Sequence, residues 1–185
     1  MWEKELEVAL KAALVAREKI LEVYYSSDIG VEIKEDNSPV TKADIASETY
    51  LRDILSKVFP DYGFLSEETP DNDERLDKEF VWIIDPVDGT KDFVEKDGEF
   101  AINLALCKDH KIVLGVIGVP CKQTVYYAVE NGGAFKEEKG VVTRIFTSKR
   151  STNLIGVRSR YHLAMQDSKY FRQFEELIPE VYTYG

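Results

Sequence analysis

The sequence predicts an α+β sandwich, with helices packed on an antiparallel sheet and a second α/β unit only partly present. Three observations carry this. Two segments near the N-terminus place apolar residues at three- and four-residue steps, the period of an amphipathic helix. Between residues 100 and 136, short β-branched and aromatic runs alternate with turn residues. That is the pattern of an antiparallel meander, not of alternating strands and helices. From about residue 150 a strand, a helix and a strand follow one another. The expected division is 1–147 for the first domain and 148–185 for the start of the second.

The helices come first. Residues 3 to 25 carry Leu6, Ala9, Ala13, Ala16, Ile20, Val23 and Tyr24 on one face. Ser26 to Gly30 breaks the pattern, and Val31 to Glu35 reads as a short strand or extended arm, with Lys34 read first as a solvated surface lysine and second as a cation that could steady substrate or water. Thr41 is a good N-cap, and Asp44 stands three residues on, where a capping box places its acid. A helix to about Val58 follows, with Leu51, Ile54, Leu55 and Val58 inward and Pro60 ending it.

Strands come next. Tyr62-Gly63-Phe64-Leu65 leads to the acids Glu67 and Glu68, and an acidic stretch from Asp71 to Asp77 reads as solvated loop. Val81-Trp82-Ile83-Ile84 is a buried strand that should stop at Asp85, since Pro86 has no N–H for a central ladder. Phe100–Cys107, Ile112–Val119 and Thr124–Val129 are the next strands, and Asn131-Gly132-Gly133 turns the chain so that 134–136 pairs back. His110 lies in a polar turn and reads as a surface residue. In the second unit, Leu154–Val157 is a strand, Ala164–Leu177 a helix and Val181–Tyr184 a strand, whose open edge is compatible with a homodimer.

Composition narrows the function. With a net charge of −10 and no basic patch, the chain does not suit a nucleic-acid backbone. Cys107 and Cys121 lack metal or disulfide spacing, the N-terminus is too acidic for a signal peptide, and no apolar run approaches membrane-spanning length. A cytoplasmic protein without membrane insertion is expected.

Chemistry concentrates in Asp85-Pro86-Val87-Asp88-Gly89-Thr90. Two carboxylates flank a proline turn, with the Val87 carbonyl between them. That set suits a hard divalent cation, although an Asp-Pro turn capped by Asp88 and Gly89 has the same spelling. Gly89 permits close backbone approach, and Thr90 to Val94 can open a short helix whose N–H groups face an anion. Glu67 at a strand end repeats the logic, or belongs to the charged loop.

This string resembles the signature of the magnesium-dependent, lithium-sensitive phosphatase superfamily that contains the inositol monophosphatases. Asp88-Gly89-Thr90-Lys91-Asp92-Phe93, with Asp97-Gly98-Glu99-Phe100-Ala101-Ile102-Asn103, is most similar to its 3′(2′),5′-bisphosphate nucleotidase branch. The resemblance implies the α+β/α/β sandwich of the inositol monophosphatase (sugar phosphatase) type. It also implies phosphate monoester hydrolysis with two or three Mg²⁺ ions on a small phosphorylated substrate, a nucleotide or a sugar or inositol phosphate. It makes Glu67, Asp85, Val87 and Asp88 metal ligands, with Glu67 also activating water. Asp44 and Thr90 orient that water, and Gly89, Thr90 and Lys91 receive phosphate. Val40-Thr41-x-x-Asp44 is similar to the superfamily's early motif, so Asp44 has this reading beside its role as a cap. Ser159-Arg160-Tyr161-His162 is similar to the branch's substrate segment, which makes Arg160 and His162 candidates for holding the phosphate that is not cleaved; a charged turn is the other reading.

The favoured substrate is 3′-phosphoadenosine 5′-phosphate, ahead of inositol 1-phosphate and fructose 1,6-bisphosphate. The superfamily also supplies a further metal-binding Asp from a Trp-Asp segment beyond the point matched by Gly185. A piece of a longer protein, help from another chain, or a non-catalytic metal- or nucleotide-binding relative would each account for that. A haloacid-dehalogenase-type phosphatase fits poorly, because its Asp-x-Asp pair is one residue shorter than Asp85-x-x-Asp88.

Overall fold

The computed structural model describes residues 2–71, 73–161 and 178–184, which fall into two compact units, Met1–Ile145 and Phe146–Gly185. In the first, α1 (Glu3–Tyr24) carries Glu3 and Glu5 in its first turn, where carboxylates complement the helix dipole. It buries Ala9, Ala12, Ala13, Ala16 and Ile20; the four alanines let α2 and the sheet approach closely. It ends where Ser26 returns both its N–H and its hydroxyl to the Val23 carbonyl. A two-residue ladder joins β1 (Glu32–Ile33) to β2 (Pro39–Val40) and makes an arm tipped by the turn after Lys34.

The expected cap forms. Thr41 Oγ1 accepts from the Ala43 N–H at 3.2 Å and Asp44 Oδ2 accepts from the Thr41 N–H at 2.8 Å, starting α2 (Lys42–Val58). Leu51 and Leu55 are fully buried on its inner face.

Seven strands form one sheet in the order β3-β4-β5-β6-β7-β8-β9: β3 (Gly63–Ser66), β4 (Phe80–Asp88), β5 (Ala101–Lys108), β6 (Lys111–Val119), β7 (Thr124–Val129), β8 (Gly133–Glu138) and β9 (Val141–Ile145). From β4 to β9 every pair is antiparallel, and Asp109 and His110 both adopt positive φ in the exposed β5–β6 turn, as a tight hairpin requires. Alternate residues Trp82, Ile84, Ile102, Leu104 and Leu106 face α1 and α2 and form the core with them.

Three expectations need correcting. The sheet is mixed, because β3 runs parallel to β4. β4 does not stop at Asp85. It continues through Pro86 to Asp88 because a bulge between Asp85 and Asp88 takes the proline out of the ladder. β9 was not expected; it follows a turn with Lys139 and Gly140 at positive φ and pairs with β8 from Glu138↔Val141 to Ala134↔Ile145.

In the second unit, β10 (Ile155–Ser159) pairs in parallel with β11 (Glu180–Tyr184). The helix expected at 164–177 lies outside the described residues. Among the described residues no helix is long and apolar enough to cross a membrane. Cys107 and Cys121 are free and partly buried.

Candidate active site

The parallel β3–β4 pair brings the acids together. Ser66 is opposite Ile84, and the next N–H, that of Glu67, donates to the Ile84 carbonyl at 3.2 Å. Glu67 therefore leaves β3 beside Asp85. The bulge then carries the chain to Asp88, whose Oδ2 accepts from Asn103 Nδ2 at 2.9 Å; Asn103 is also the ladder partner of Asp85.

Asp85 is the electrostatic centre. Its Oδ1 is buried with no hydrogen-bond partner. Burial, then the negative charges of Glu67 and Asp88, push its pKa from 3.8 up to about 7. An orphaned carboxylate oxygen crowded by two further acids fits a divalent cation, which would satisfy the oxygen and offset the repulsion. Asp85, Asp88 and Asn103 also line a groove of about 590 Å³, together with Ala105, Gly115 and Tyr126.

Asp44 does two things at once. While Oδ2 caps α2, Oδ1 stands 3.2 Å from Thr90 Oγ1, which also lies 3.1 Å from the Val87 carbonyl. Burial raises the Asp44 pKa, and its bonds to Thr41 and Thr90 act against that rise. Gly89 has φ of 91° and precedes α3 (Thr90–Glu95); that conformation favours glycine, and the space is tight, since a Cβ there would stand 3.0 Å from the Glu99 carbonyl. Lys91, the next residue of α3, is exposed.

Lys34 is not the solvated lysine that its surroundings in sequence suggest. The β1–β2 arm folds over so that Nζ meets Glu67 Oε1 at 3.2 Å and Glu68 Oε1 at 2.7 Å. Asn103 was also overlooked, though a lone amide within Phe-Ala-Ile-Asn-Leu-Ala-Leu-Cys was a usable signal. Asp92, Asp97 and Glu99 form a second acidic group, with carboxyl oxygens within 4.8 Å of one another. Arg160 follows β10 in the second unit, where its N–H donates to the Tyr184 carbonyl, and His162 lies outside the described residues.

A mixed sheet backed by two helices, with oxygen donors gathered at its strand ends, matches a known class. Residues 1–180 match the model of the inositol monophosphatase family, and the chain belongs to that family. Within it, the chain is 39% identical over 173 residues to the 3′(2′),5′-bisphosphate nucleotidase CysQ of Escherichia coli K12, covering 92% of this chain and 70% of that protein. The crystal structure of CysQ from Bacteroides thetaiotaomicron, described as a bacterial member of the inositol monophosphatase family, superposes with a TM-score of 0.81 at 32% identity, over 99% of this chain and 72% of that one. The extragenic suppressor protein suhB of Bartonella henselae superposes with a TM-score of 0.85 at 27% identity, over 99% and 71%.

Proposed function

We propose that this protein is an Mg²⁺-dependent phosphatase that removes one phosphate from 3′(2′),5′-nucleoside bisphosphates, 3′-phosphoadenosine 5′-phosphate being the leading substrate. The observation that carries the reading is Asp85, a half-buried carboxylate whose Oδ1 is buried without a partner and which has two acidic neighbours. Similarity to the CysQ nucleotidases supports the choice of substrate. Two or three bound Mg²⁺ ions would neutralise the phosphoryl oxygens and acidify the attacking water.

Glu67, Asp85, Asp88 and the Val87 carbonyl are the proposed ligands. The Thr90 hydroxyl, held near Asp44, orients water toward phosphorus, and Glu67 helps take its proton. Gly89 and Thr90 N–H groups, with Lys91, receive the phosphate. Arg160 and His162 are proposed on their chemistry alone for the phosphate that stays. The net change is cleavage of one P–O ester bond by water, releasing a nucleoside monophosphate with a free hydroxyl and inorganic phosphate.

Phosphate release from 3′-phosphoadenosine 5′-phosphate and from inositol 1-phosphate, with Mg²⁺ and with chelator, tests this. Chelator-sensitive release favouring the nucleotide is expected, and Asp88→Asn should abolish it. Equal rates on both substrates would refute the substrate choice; near-normal turnover in Asp88→Asn would refute the site.

A further inference from the structure

Glu48 has no part in the chemistry above, yet it is 3% exposed and fully engaged. It stands one turn beyond Asp44 on α2, and four-residue spacing places both acids on the same helix face. Glu48 Oε1 accepts from Ser66 Oγ at 2.9 Å and from Thr69 Oγ1, while Oε2 accepts from the Glu68 N–H at 2.8 Å. These donors lie one residue before Glu67, one after it and two after it. Arg52, a further turn along α2, donates from Nη1 to Ser66 Oγ at 2.9 Å and stacks its guanidinium 5.0 Å from the Phe64 ring centre.

Glu67 itself is far more exposed than Glu48. Its side chain is 45% exposed and is bonded to Lys34, at the turn of a two-residue arm. The Glu67 backbone N–H is fixed to the Ile84 carbonyl, and Glu48 grips the turn on both sides of it, through the Ser66 and Thr69 hydroxyls and the Glu68 N–H.

We propose that Glu48 is a positioning residue, clamping the Ser66–Thr69 turn so that Glu67 meets Asp85 at the cation site. In this arrangement α2 braces both halves of the site: Asp44 reaches Thr90, and Glu48 reaches the turn that bears Glu67. Outer partners of ligating carboxylates act in this way, and their loss typically weakens metal affinity by about 10- to 100-fold. The inference rests on the proposed Mg²⁺ site and adds a residue to it.

Calorimetric titration of Mg²⁺ into the full chain, without substrate, is the test. Glu48→Gln keeps shape and one acceptor oxygen but sets an amide NH₂ against the Glu68 N–H. Thr69→Val removes a single donor to Glu48 and touches no proposed ligand. Mg²⁺ affinity should weaken about tenfold in Glu48→Gln and about threefold in Thr69→Val. The substrate KM at saturating Mg²⁺ should stay within about twofold of wild type, because Glu67 is the group displaced. A merely structural role would lower the melting temperature and leave the Mg²⁺ affinity unchanged. Wild-type Mg²⁺ affinity in both variants, or in Thr69→Val if Glu48→Gln does not fold, overturns the proposal. Absence of Mg²⁺ binding and turnover in the wild type would instead overturn the functional reading, and this inference with it.

Discussion

Replacing Asp85 by Asn should abolish turnover and, in metal-free protein, raise stability. Loss of a central ligand removes several kcal/mol of transition-state stabilisation, so activity should fall by about 10³-fold or more. The stability gain follows from the same environment. Folding raises the Asp85 pKa from 3.8 to about 7, so between those values the folded chain keeps a proton that the unfolded chain has released. Stability of the metal-free protein therefore falls as pH rises through that window. Water at the open edge of the site screens part of the effect, which leaves a penalty on the order of 2 kcal/mol at pH 8. The neutral amide of the Asp85→Asn variant carries no such penalty. In chelator at pH 8, Asp85→Asn should melt roughly 4–8 °C above wild type, and the gap should close toward pH 4. Adding Mg²⁺ should stabilise the wild type and not the variant. A variant that melts at or below wild type at pH 8 would mean that Asp85 is not a strained charge.

Phe93→Ala should cause a large loss of stability. Phe93 is fully buried on α3, three residues beyond Thr90, with ring centres 5.1 Å from Tyr24 and 5.0 Å from Phe100. The cluster ties α3 to the end of α1 and to the residue preceding β5. Truncation removes a buried ring and leaves a cavity, costing about 3–5 kcal/mol. The expected fall in melting temperature is about 10 °C or more, while Phe93→Leu, which keeps most of the volume, should lose less than half as much. Urea unfolding should show a lower midpoint with an unchanged slope. An alanine variant within about 1 kcal/mol of wild type would show that α3 is anchored elsewhere.

Much of the architecture was legible in the sequence because its signals are local. Helical periodicity marked α1 and α2, Thr41 and Asp44 spelled a capping box, and turn residues separated β5, β6, β7 and β8. Each of these depends on residues a few positions apart. The acidic motifs at Asp44, Glu67 and Asp85–Asp88 were visible as candidates, but their spelling was equally that of a cap, a loop and a proline turn. Their convergence depends on pairing between distant segments. Only the parallel register of Ser66 with Ile84 sets Glu67 beside Asp85, and only the bulge lets β4 run through Pro86 to Asp88. Asn103 and Glu48 were missed, and Lys34 was read first as solvated, for the same reason: the partners of Lys34, Asn103 and Glu48 lie 33, 15 and 18 residues away. The sequence by itself determined α1, α2 and the strands from β5 to β8, and which acids were available, because backbone periodicity and capping act within a turn or two of chain. The tertiary structure decided which carboxylates crowd around the half-buried Asp85, because its burial and the mutual repulsion arise only when strand pairing closes the distance between them.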